Sequence, residues 1–176
     1  NNSTGWLLGE NLILKTTNGG NNWLSQLLEP YGNGVYSLNF KDSNTAWAVG
    51  NAGTILNTTN GGVNWNLHSS GELYNFKSVF ALDFNNAYAI GDTGIIIKTT
   101  DGGSNWEYRQ SGTNKFLNSV CFINNNTGWI TGDSGVVLKT SNGGDDWINQ
   151  MSNTTSNLIS VSFVNENNGW ISCKND

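Results

Sequence analysis

The chain has 176 residues, of which 36% are hydrophobic and only 12% are charged, and its formal net charge is −5. Eight Lys and Arg against 13 Asp and Glu exclude the clustered basic face that nucleic acids and anionic membrane surfaces require, so neither partner is expected. Eight Trp, five Tyr and seven Phe exclude a disordered chain, and no apolar run reaches the roughly 20 residues of a membrane span.

A short aromatic element recurs through the whole chain. Its versions are GWLLG, AWAVG, AYAIG, GWITG and GWISC, and each aromatic residue stands 41 residues after the one before it. The five aromatic residues are Trp6, Trp47, Tyr88, Trp129 and Trp170. Because self-similarity at a fixed period is the signature of repeat architectures, this regularity indicates tandem duplication.

A second marker, of the form T-x-[ND]-x-G-x-x-W, follows each of the first four aromatic elements. Asn or Asp with Gly is typical of a tight turn, in which the hydroxyl satisfies a backbone group and Gly supplies positive φ. We expect the Trp to pack back across the hairpin and to be mostly buried between neighbouring strands. The marker residues are Thr16, Asn18, Gly20, Trp23; Thr58, Asn60, Gly62, Trp65; Thr99, Asp101, Gly103, Trp106; and Thr140, Asn142, Gly144, Trp147.

The sequence of each repeat predicts four strands, and no segment shows the hydrophobic periodicity of a helix. Strands such as SVFALDF are followed by the aromatic element, by a strand such as IIIKTT and by a short last strand after the marker. Four antiparallel strands in about 41 residues predict an all-β fold built of β-propeller blades, with a β-solenoid as the alternative. We expect the innermost strands to lie at residues 36–42, 77–83, 117–123 and 158–164.

The repeats predict a single propeller over residues 1–176. Its units are expected at about 1–35 (a partial blade), 36–76, 77–116, 117–157 and 158–176 (a partial blade). The first and last aromatic elements occupy the same phase, which favours part of a larger propeller over a closed four-bladed ring. Strand edges at the two ends are then expected to be able to pair between chains.

The four markers resemble the Asp-box, also called the bacterial neuraminidase repeat. Together with the GW-x-x-G element, they make the whole chain similar to the photosystem II stability/assembly factor-like family of propellers. The resemblance implies that the box is structural and that the protein is a non-catalytic bacterial propeller. It also implies that the protein is exported, and that it is located outside the cell, at the cell surface or in the periplasm. The photosynthetic members offer an arginine patch, which this chain lacks because Arg109 is its only arginine.

Glycoside hydrolysis is the alternative function, since some Asp-box propellers are glycosidases. Sialidase chemistry needs three arginines and is excluded, but a hydrolase whose catalytic blades lie outside this chain stays open. Asp42 and Asp83 share one phase of the repeat, and Asp92 and Asp133 share another, which is typical of turn formers. A structural element of a surface assembly is the third alternative.

No cofactor or metal is expected, because the sequence has no cluster of Cys and His at metal-ligand spacing and no phosphate loop. His68 and Arg109 stand at the same phase, three residues after a box Trp, and are expected to be exposed strand residues. Cys121 and Cys173 lie in non-equivalent strands, so a disulfide between them is not expected.

The loops that join one unit to the next are the least repetitive part of the chain. Three of them carry aromatic residues that the repeat does not require: Tyr31, Tyr74 and Phe116. Aromatic residues in exposed loops are enriched at interfaces, so we expect these three to form one contact surface for a protein or a surface glycan. The alternative is that their rings pack on the adjacent blade.

Overall fold

The computed structural model describes residues 3–9, 12–27, 34–71 and 73–174. Within these ranges the structure is all-β, as predicted, and its helical segments are two 3-10 turns, Asp92–Gly94 and Asp133–Gly135. The strands are β1 (Gly5–Gly9), β2 (Leu12–Thr16), β3 (Leu24–Leu27), β4 (Val35–Phe40), β5 (Ala46–Gly50), β6 (Ile55–Thr58), β7 (Asn66–His68), β8 (Phe76–Ala81), β9 (Ala87–Gly91), β10 (Ile96–Thr99), β11 (Glu107–Tyr108), β12 (Leu117–Phe122), β13 (Gly128–Gly132), β14 (Val137–Thr140), β15 (Ile148–Asn149), β16 (Asn157–Asn165) and β17 (Asn168–Lys174).

The described strands form five antiparallel sheets, each a simple meander. Strands β4 to β7, β8 to β11 and β12 to β15 make three four-stranded sheets, while β1 to β3 and β16 to β17 make smaller ones. The second strand of each four-stranded sheet is buried along its whole length, which matches its continuous small and apolar sequence. These sheets have the architecture of propeller blades.

The first strands of neighbouring sheets lie side by side, which makes them the innermost strands, as predicted. A serine hydroxyl on each first strand accepts a hydrogen bond from a backbone N–H of the next first strand, 42 residues later. The three bonds run from Val79 N to Ser37 Oγ (3.1 Å), from Val120 N to Ser78 Oγ (3.3 Å) and from Val161 N to Ser119 Oγ (3.2 Å). This serine ladder ties blade to blade at the centre of the structure.

The core lies between the sheets and consists of stacked rings. An aromatic residue of one sheet's second strand stacks on a Phe of the next sheet's first strand. The stacked pairs are Trp6 with Phe40 (3.6 Å between centroids), Tyr88 with Phe122 (4.5 Å) and Trp129 with Phe163 (3.7 Å). Opposite Trp47 of the second unit, Ala81 on the next first strand replaces the Phe, and Trp47 instead meets the edge of Trp106.

The prediction that all four box tryptophans are mostly buried is wrong for Trp23. Trp65 and Trp147 are buried, and Trp106 is half-buried against the core, but 37% of Trp23 is exposed. Trp65 meets the edge of Phe40 on the first strand of its own sheet. Trp23 belongs to the sheet β1 to β3, in which no described first strand supplies such a ring.

Candidate functional site

Each sheet has two ends, and they are built differently. At one end, the turn between second and third strands bonds the start of the first strand, as in Asp92 N to Asn75 O at 3.1 Å and Asp133 N to Phe116 O at 2.9 Å. The loops between units reach the same end. We call it the variable face, and it comprises residues 34–36, 51–54, 69–71, 73–77, 92–95, 110–118, 133–136 and 150–159.

The opposite end carries the Asp-boxes, and we call it the box face. Here the box turn is tied to the loop between first and second strands, as in Gly61 N to Asn44 O at 2.8 Å and Gly143 N to Asn126 O at 2.8 Å. The box face comprises residues 17–22, 41–45, 59–64, 82–86, 100–105, 123–127 and 141–146.

The hydrogen bonds within the second box show why Thr, Asn and Gly stand at this spacing. The Thr58 hydroxyl donates to Asn60 Oδ1 at 3.0 Å and accepts from the backbone N–H of Gly62 at 3.0 Å. Asn60 Oδ1 also accepts from Asn64 N at 2.9 Å, which closes the turn. Gly62 has a φ of +83°, a conformation that side chains disfavour.

The other three boxes repeat these bonds, so their polar side chains are engaged inside the turn. The equivalent threonine hydroxyls of Thr16, Thr99 and Thr140 accept from the corresponding glycine N–H at 2.8–3.0 Å. Asp101 makes the same contacts as Asn60, and hydrogen bonds from the Asn105 side chain and backbone lower the pKa of its carboxyl. The geometry gives the box residues a structural role.

A second repeated device joins the boxes to the preceding blade. Residues of equivalent third strands donate to the carbonyl of the first box glycine in the next unit. The donors and acceptors are Lys15 Nζ to Gly61 O (2.8 Å), Asn57 Nδ2 to Gly102 O (3.4 Å) and Lys98 Nζ to Gly143 O (2.8 Å). Sequence reasoning missed this contact, although its signal, a Lys or Asn at a fixed phase, was present.

The carboxylates that share a phase are turn formers. Asp42 Oδ1 accepts from Asn44 N at 2.7 Å and Thr45 N at 2.8 Å, and these bonds lower the pKa of the Asp42 carboxyl. Asn124 makes the same pair of bonds with its amide oxygen. Because the amide oxygen of Asn124 accepts the same two backbone hydrogen bonds, the turn does not require a negative charge at this position.

Arg109 and His68 are engaged between blades rather than free on a surface. The Arg109 guanidinium lies 2.7 Å from the Glu107 carboxylate and 3.6 Å from Asp145. Asp145 is also 3.0 Å from Lys98, and this hydrogen bond is the main cause of the lowered pKa of its carboxyl. His68 Nδ1 lies 3.1 Å from the Gly103 carbonyl oxygen. The expectation that both are exposed strand residues is therefore wrong.

The three aromatic loop residues do not all fall within the described structure. Tyr31 lies outside the described residues. Tyr74 is half-buried, packs on the core cluster that contains Phe76, and meets the edge of Tyr108 at 6.3 Å. Phe116 lies on the variable face, with 46% of it exposed. Tyr74 thus follows the packing alternative, and Phe116 is available for contact.

Phe116 stands where two other units place a structural asparagine. Asn75 Oδ1 accepts from Ala52 N, and Asn157 Oδ1 accepts from Ser134 N, both at 3.0 Å. Each bond joins the start of one blade to the turn of the preceding blade, 23 residues earlier. Phe116 occupies the same phase and has no side-chain acceptor for the equivalent Thr93 N–H. The third unit therefore departs from the repeat at this point.

Four residues of one phase lie on the innermost strands beside the loops of the variable face. Two of them, Tyr36 and Ile159, are exposed apolar residues. The Lys77 ammonium lies 4.7 Å from the centre of the Tyr36 ring, so residues of this phase on neighbouring blades are adjacent. The four residues are Tyr36, Lys77, Asn118 and Ile159, and we call them the central row. Sequence reasoning did not single them out.

Metal, disulfide and membrane features are absent from the part of the chain that the structure describes. No group of three or more His, Cys, Asp or Glu is placed to hold a metal ion among these residues. Cys121 and Cys173 are not joined by a disulfide. Over the same ranges, no helix has the length and apolar character needed to span a bilayer.

Comparison with known proteins gives a family and a fold. The family described as photosynthesis system II assembly factor YCF48 matches residues 29–116 and 72–151. No curated protein sequence is significantly similar to the chain.

Solved propellers superpose on the chain at low sequence identity. YCF48 from Cyanidioschyzon merolae has a TM-score of 0.76 at 15% identity over 96% of this chain and 60% of its own. A structure of YCF48 bound to D1 peptide has a TM-score of 0.55 at 17% identity over 99% of this chain and 88% of its own. The GH74 enzyme of Niastella koreensis has a TM-score of 0.69 at 21% identity over 87% of this chain and 28% of its own. The chain therefore spans 60% of the length of the first of these proteins, and all three show the propeller fold.

Proposed function

The chain belongs to the photosynthesis system II assembly factor YCF48 family, and from this membership we propose that it is a non-catalytic propeller that binds a segment of a protein partner. The binding site is the variable face, centred on Phe116 and the central row.

The exposed ring of Phe116, at a phase where two other units have asparagine, is the observation that supports the proposal. Two other units use an asparagine at this phase to tie adjacent blades, whereas the third unit exposes a large aromatic ring. Loss of a hydrogen bond between blades weakens the scaffold, and nearly half of the Phe116 ring stays exposed to solvent. A gain in recognition explains the exchange, because aromatic residues dominate the binding energy of protein interfaces.

The surroundings of Phe116 suit a peptide with apolar side chains. Leu73 and Met151 on the same face are among the most exposed apolar side chains of the described structure, and Tyr36 and Ile159 of the central row add further apolar surface. Lys77 supplies a cation beside the Tyr36 ring. Such a mixture of apolar anchors and a polar rim is typical of a protein-binding surface.

One structure of a similar propeller supports the kind of partner. That protein is YCF48 bound to D1 peptide, so a propeller of this fold accommodates a peptide. In the present chain the only arginine is paired with Glu107 and Asp145. Recognition is therefore proposed to rest on Phe116 and the apolar residues around it rather than on a cluster of arginines.

Absence of catalysis is part of the proposal, with an Asp-box glycoside hydrolase as the alternative. Support comes from the carboxylates of the box face, which accept backbone or side-chain hydrogen bonds within their turns. Incubation of the chain with xyloglucan tests the point. Release of new reducing ends above a buffer control would contradict the proposal.

We also propose that the protein works outside the cytoplasm of a bacterium. The low content of charged residues and the 31 asparagines, many in turns, support this location. Fractionation of the source cells, with detection by an antibody against the chain, tests it. Recovery of the protein in the cytoplasmic fraction alone would contradict it.

Selection from a random-peptide display library tests the binding site. Peptides are enriched on the wild-type chain and then measured against Phe116→Asn and against Phe84→Asn, a matched control that removes an exposed ring from the box face. We expect enriched peptides to bind Phe116→Asn at least about tenfold more weakly and Phe84→Asn unchanged. Equal binding to all three proteins, or loss only in Phe84→Asn, would refute the assignment to the variable face.

A further inference from the structure

Two concavities on the variable face lie one repeat apart and share a backbone frame. The first, of about 630 Å³, lies between residues 93–95 and 109–114. The second, of about 600 Å³, lies between residues 134–136 and 149–155. We call them pocket A and pocket B.

The frames match because the same backbone contacts form both pockets. Gly94 and Gly135 have φ of +77° and +75°, and at each a Cβ would collide with a carbonyl oxygen of the facing loop, that of Thr113 or Thr154. Ser111 Oγ accepts from Thr113 N at 3.3 Å, as Ser152 accepts in the second loop. Any difference in binding between the pockets must therefore come from side chains.

Pocket A alone has an aromatic wall. Tyr74 lines it, and the packing of this ring on the core and against Tyr108 fixes its position before any ligand arrives. The amides of Gln110 and Asn114 line the same pocket. Pocket B has Met151 and Thr155 at the phases of these two amides, and its own amides, Asn149, Gln150 and Asn153, stand at other phases.

The charge of pocket A is internally compensated. Arg109 contributes to the lining, and its guanidinium contacts the Glu107 carboxylate at 2.7 Å. An anionic ligand would compete with that carboxylate. A ring with an apolar face and several hydroxyl groups matches the pocket better, because the apolar face packs on Tyr74 while amides donate to and accept from hydroxyls.

We propose that pocket A binds a neutral pyranose ring of a glycan, through Tyr74, Gln110 and Asn114, and that pocket B does not. This site lies on the same face as the protein-binding site around Phe116 but uses other side chains, and the proposal does not rest on that site. A fixed aromatic wall lowers the entropy lost on binding, and the open shape of the pocket implies weak binding by one ring.

Nuclear magnetic resonance titration of the whole chain tests the proposal, with pocket B as an internal control. The probes are cellobiose and N,N′-diacetylchitobiose, with galacturonic acid as the charged comparison. We expect one or both neutral disaccharides to shift the backbone amide signals of Gly112 and Thr113, with no shift at Asn153 and Thr154. Equal shifts in both pockets, no shift with either disaccharide, or a preference for galacturonic acid would overturn the proposal.

Variants that remove the three proposed contacts from pocket A provide the second arm. The double variant Gln110→Met with Asn114→Thr, and separately Tyr74→Ala, should each weaken disaccharide binding at least about tenfold. Met151→Ala in pocket B should leave it unchanged, and so should Phe116→Ala, which removes the ring without adding an acceptor for Thr93 N and so separates this site from the peptide site. Since the double variant copies side chains that the same frame already carries in pocket B, its fold should be retained. Undiminished binding by that variant would overturn the proposal.

Discussion

The box face and the variable face are made by the same repeats, yet a substitution that departs from the repeat has opposite consequences on the two faces. On the box face the hydrogen bonds of the repeat are kept, and on the variable face they are lost. On the box face, each threonine hydroxyl makes the same bonds in all four units, and where Asp101 replaces an asparagine the bonds persist. On the variable face, the exchange of asparagine for Phe116 removes a bond between blades and leaves a ring exposed.

This difference shows how to separate scaffold from site in a repeat protein. A residue that recurs at one phase with the same partners stabilises each unit, because every unit faces the same folding problem. A residue at that phase that lacks those contacts weakens the scaffold, so its presence must be explained by another role. We therefore expect residues of the box face to determine the stability of the fold and residues of the variable face to determine recognition.

Truncation of a buried box tryptophan should have the largest effect. Trp147→Ala removes a ring that is 92% buried and packs edge-on against Phe122, so we expect unfolding to become easier by about 3–5 kcal/mol. Chemical denaturation measures the loss. Trp23→Ala serves as the comparison, and it should cost less than half as much because that ring is partly exposed. Similar losses for both would show that burial between blades does not set the strength of the box.

Removal of a box hydroxyl should have the next largest effect. Thr140→Val keeps the shape of the side chain but deprives the buried Gly144 N–H of its acceptor. We expect a loss of about 1–3 kcal/mol in the free energy of unfolding, the usual penalty for an unpaired buried donor.

Thr131 offers a matched control on the same sheet. Its hydroxyl is buried and has no hydrogen-bond partner among the described residues, and Val49 and Ile90 occupy its phase in other units. Thr131→Val should therefore be neutral or stabilising, by up to about 1 kcal/mol. A loss comparable with that of Thr140→Val would mean that the box bond itself contributes little.

The sequence predicted the sheets and the box turns well because both depend on contacts that are local or periodic. The period of 41 residues placed the four strands of each unit, and the spacing of Thr, Asn or Asp and Gly indicated the turn. The serine ladder was not predicted, since its bonds join residues 42 positions apart on different sheets.

The central row was missed for a physical reason. Simple alternation along β4 would place Tyr36 on the same side as Leu38. The pairing of β4 with β5 shifts register between Val35 and Ser37, as in a bulge, and the extra residue breaks the alternation. Tyr36 is exposed as a result, whereas Leu38 packs against the core.

Restoring the repeat on the variable face should stabilise the protein and weaken its proposed function. In Phe116→Asn, the new amide oxygen should accept from Thr93 N as Asn75 and Asn157 accept from their turns. We expect a gain of about 0.5–1.5 kcal/mol in the free energy of unfolding, together with the loss of peptide binding described above. Phe116→Ala, which removes the ring without adding an acceptor, separates the two effects. A less stable Phe116→Asn would show that the ring supports the fold.

The smallest effect concerns the one box that has Asp in place of Asn after the threonine. Hydrogen bonds from Asn105 lower the pKa of Asp101, so the folded state favours the carboxylate. Its contribution is complete above the unfolded pKa of about 3.8 and is lost as the pH falls through the lower folded value. Asp101→Asn should therefore melt slightly below wild type near neutral pH, and the difference in melting temperature should disappear in acid.

The reverse exchange is the second variant. Asn60→Asp, whose partner Asn64 corresponds to Asn105, should acquire the same acid sensitivity. Melting temperatures from about pH 6 to pH 2 test both variants. If the differences from wild type stay constant with pH, the charge at residue 101 is incidental, and the four boxes are interchangeable in acid as well as at neutral pH.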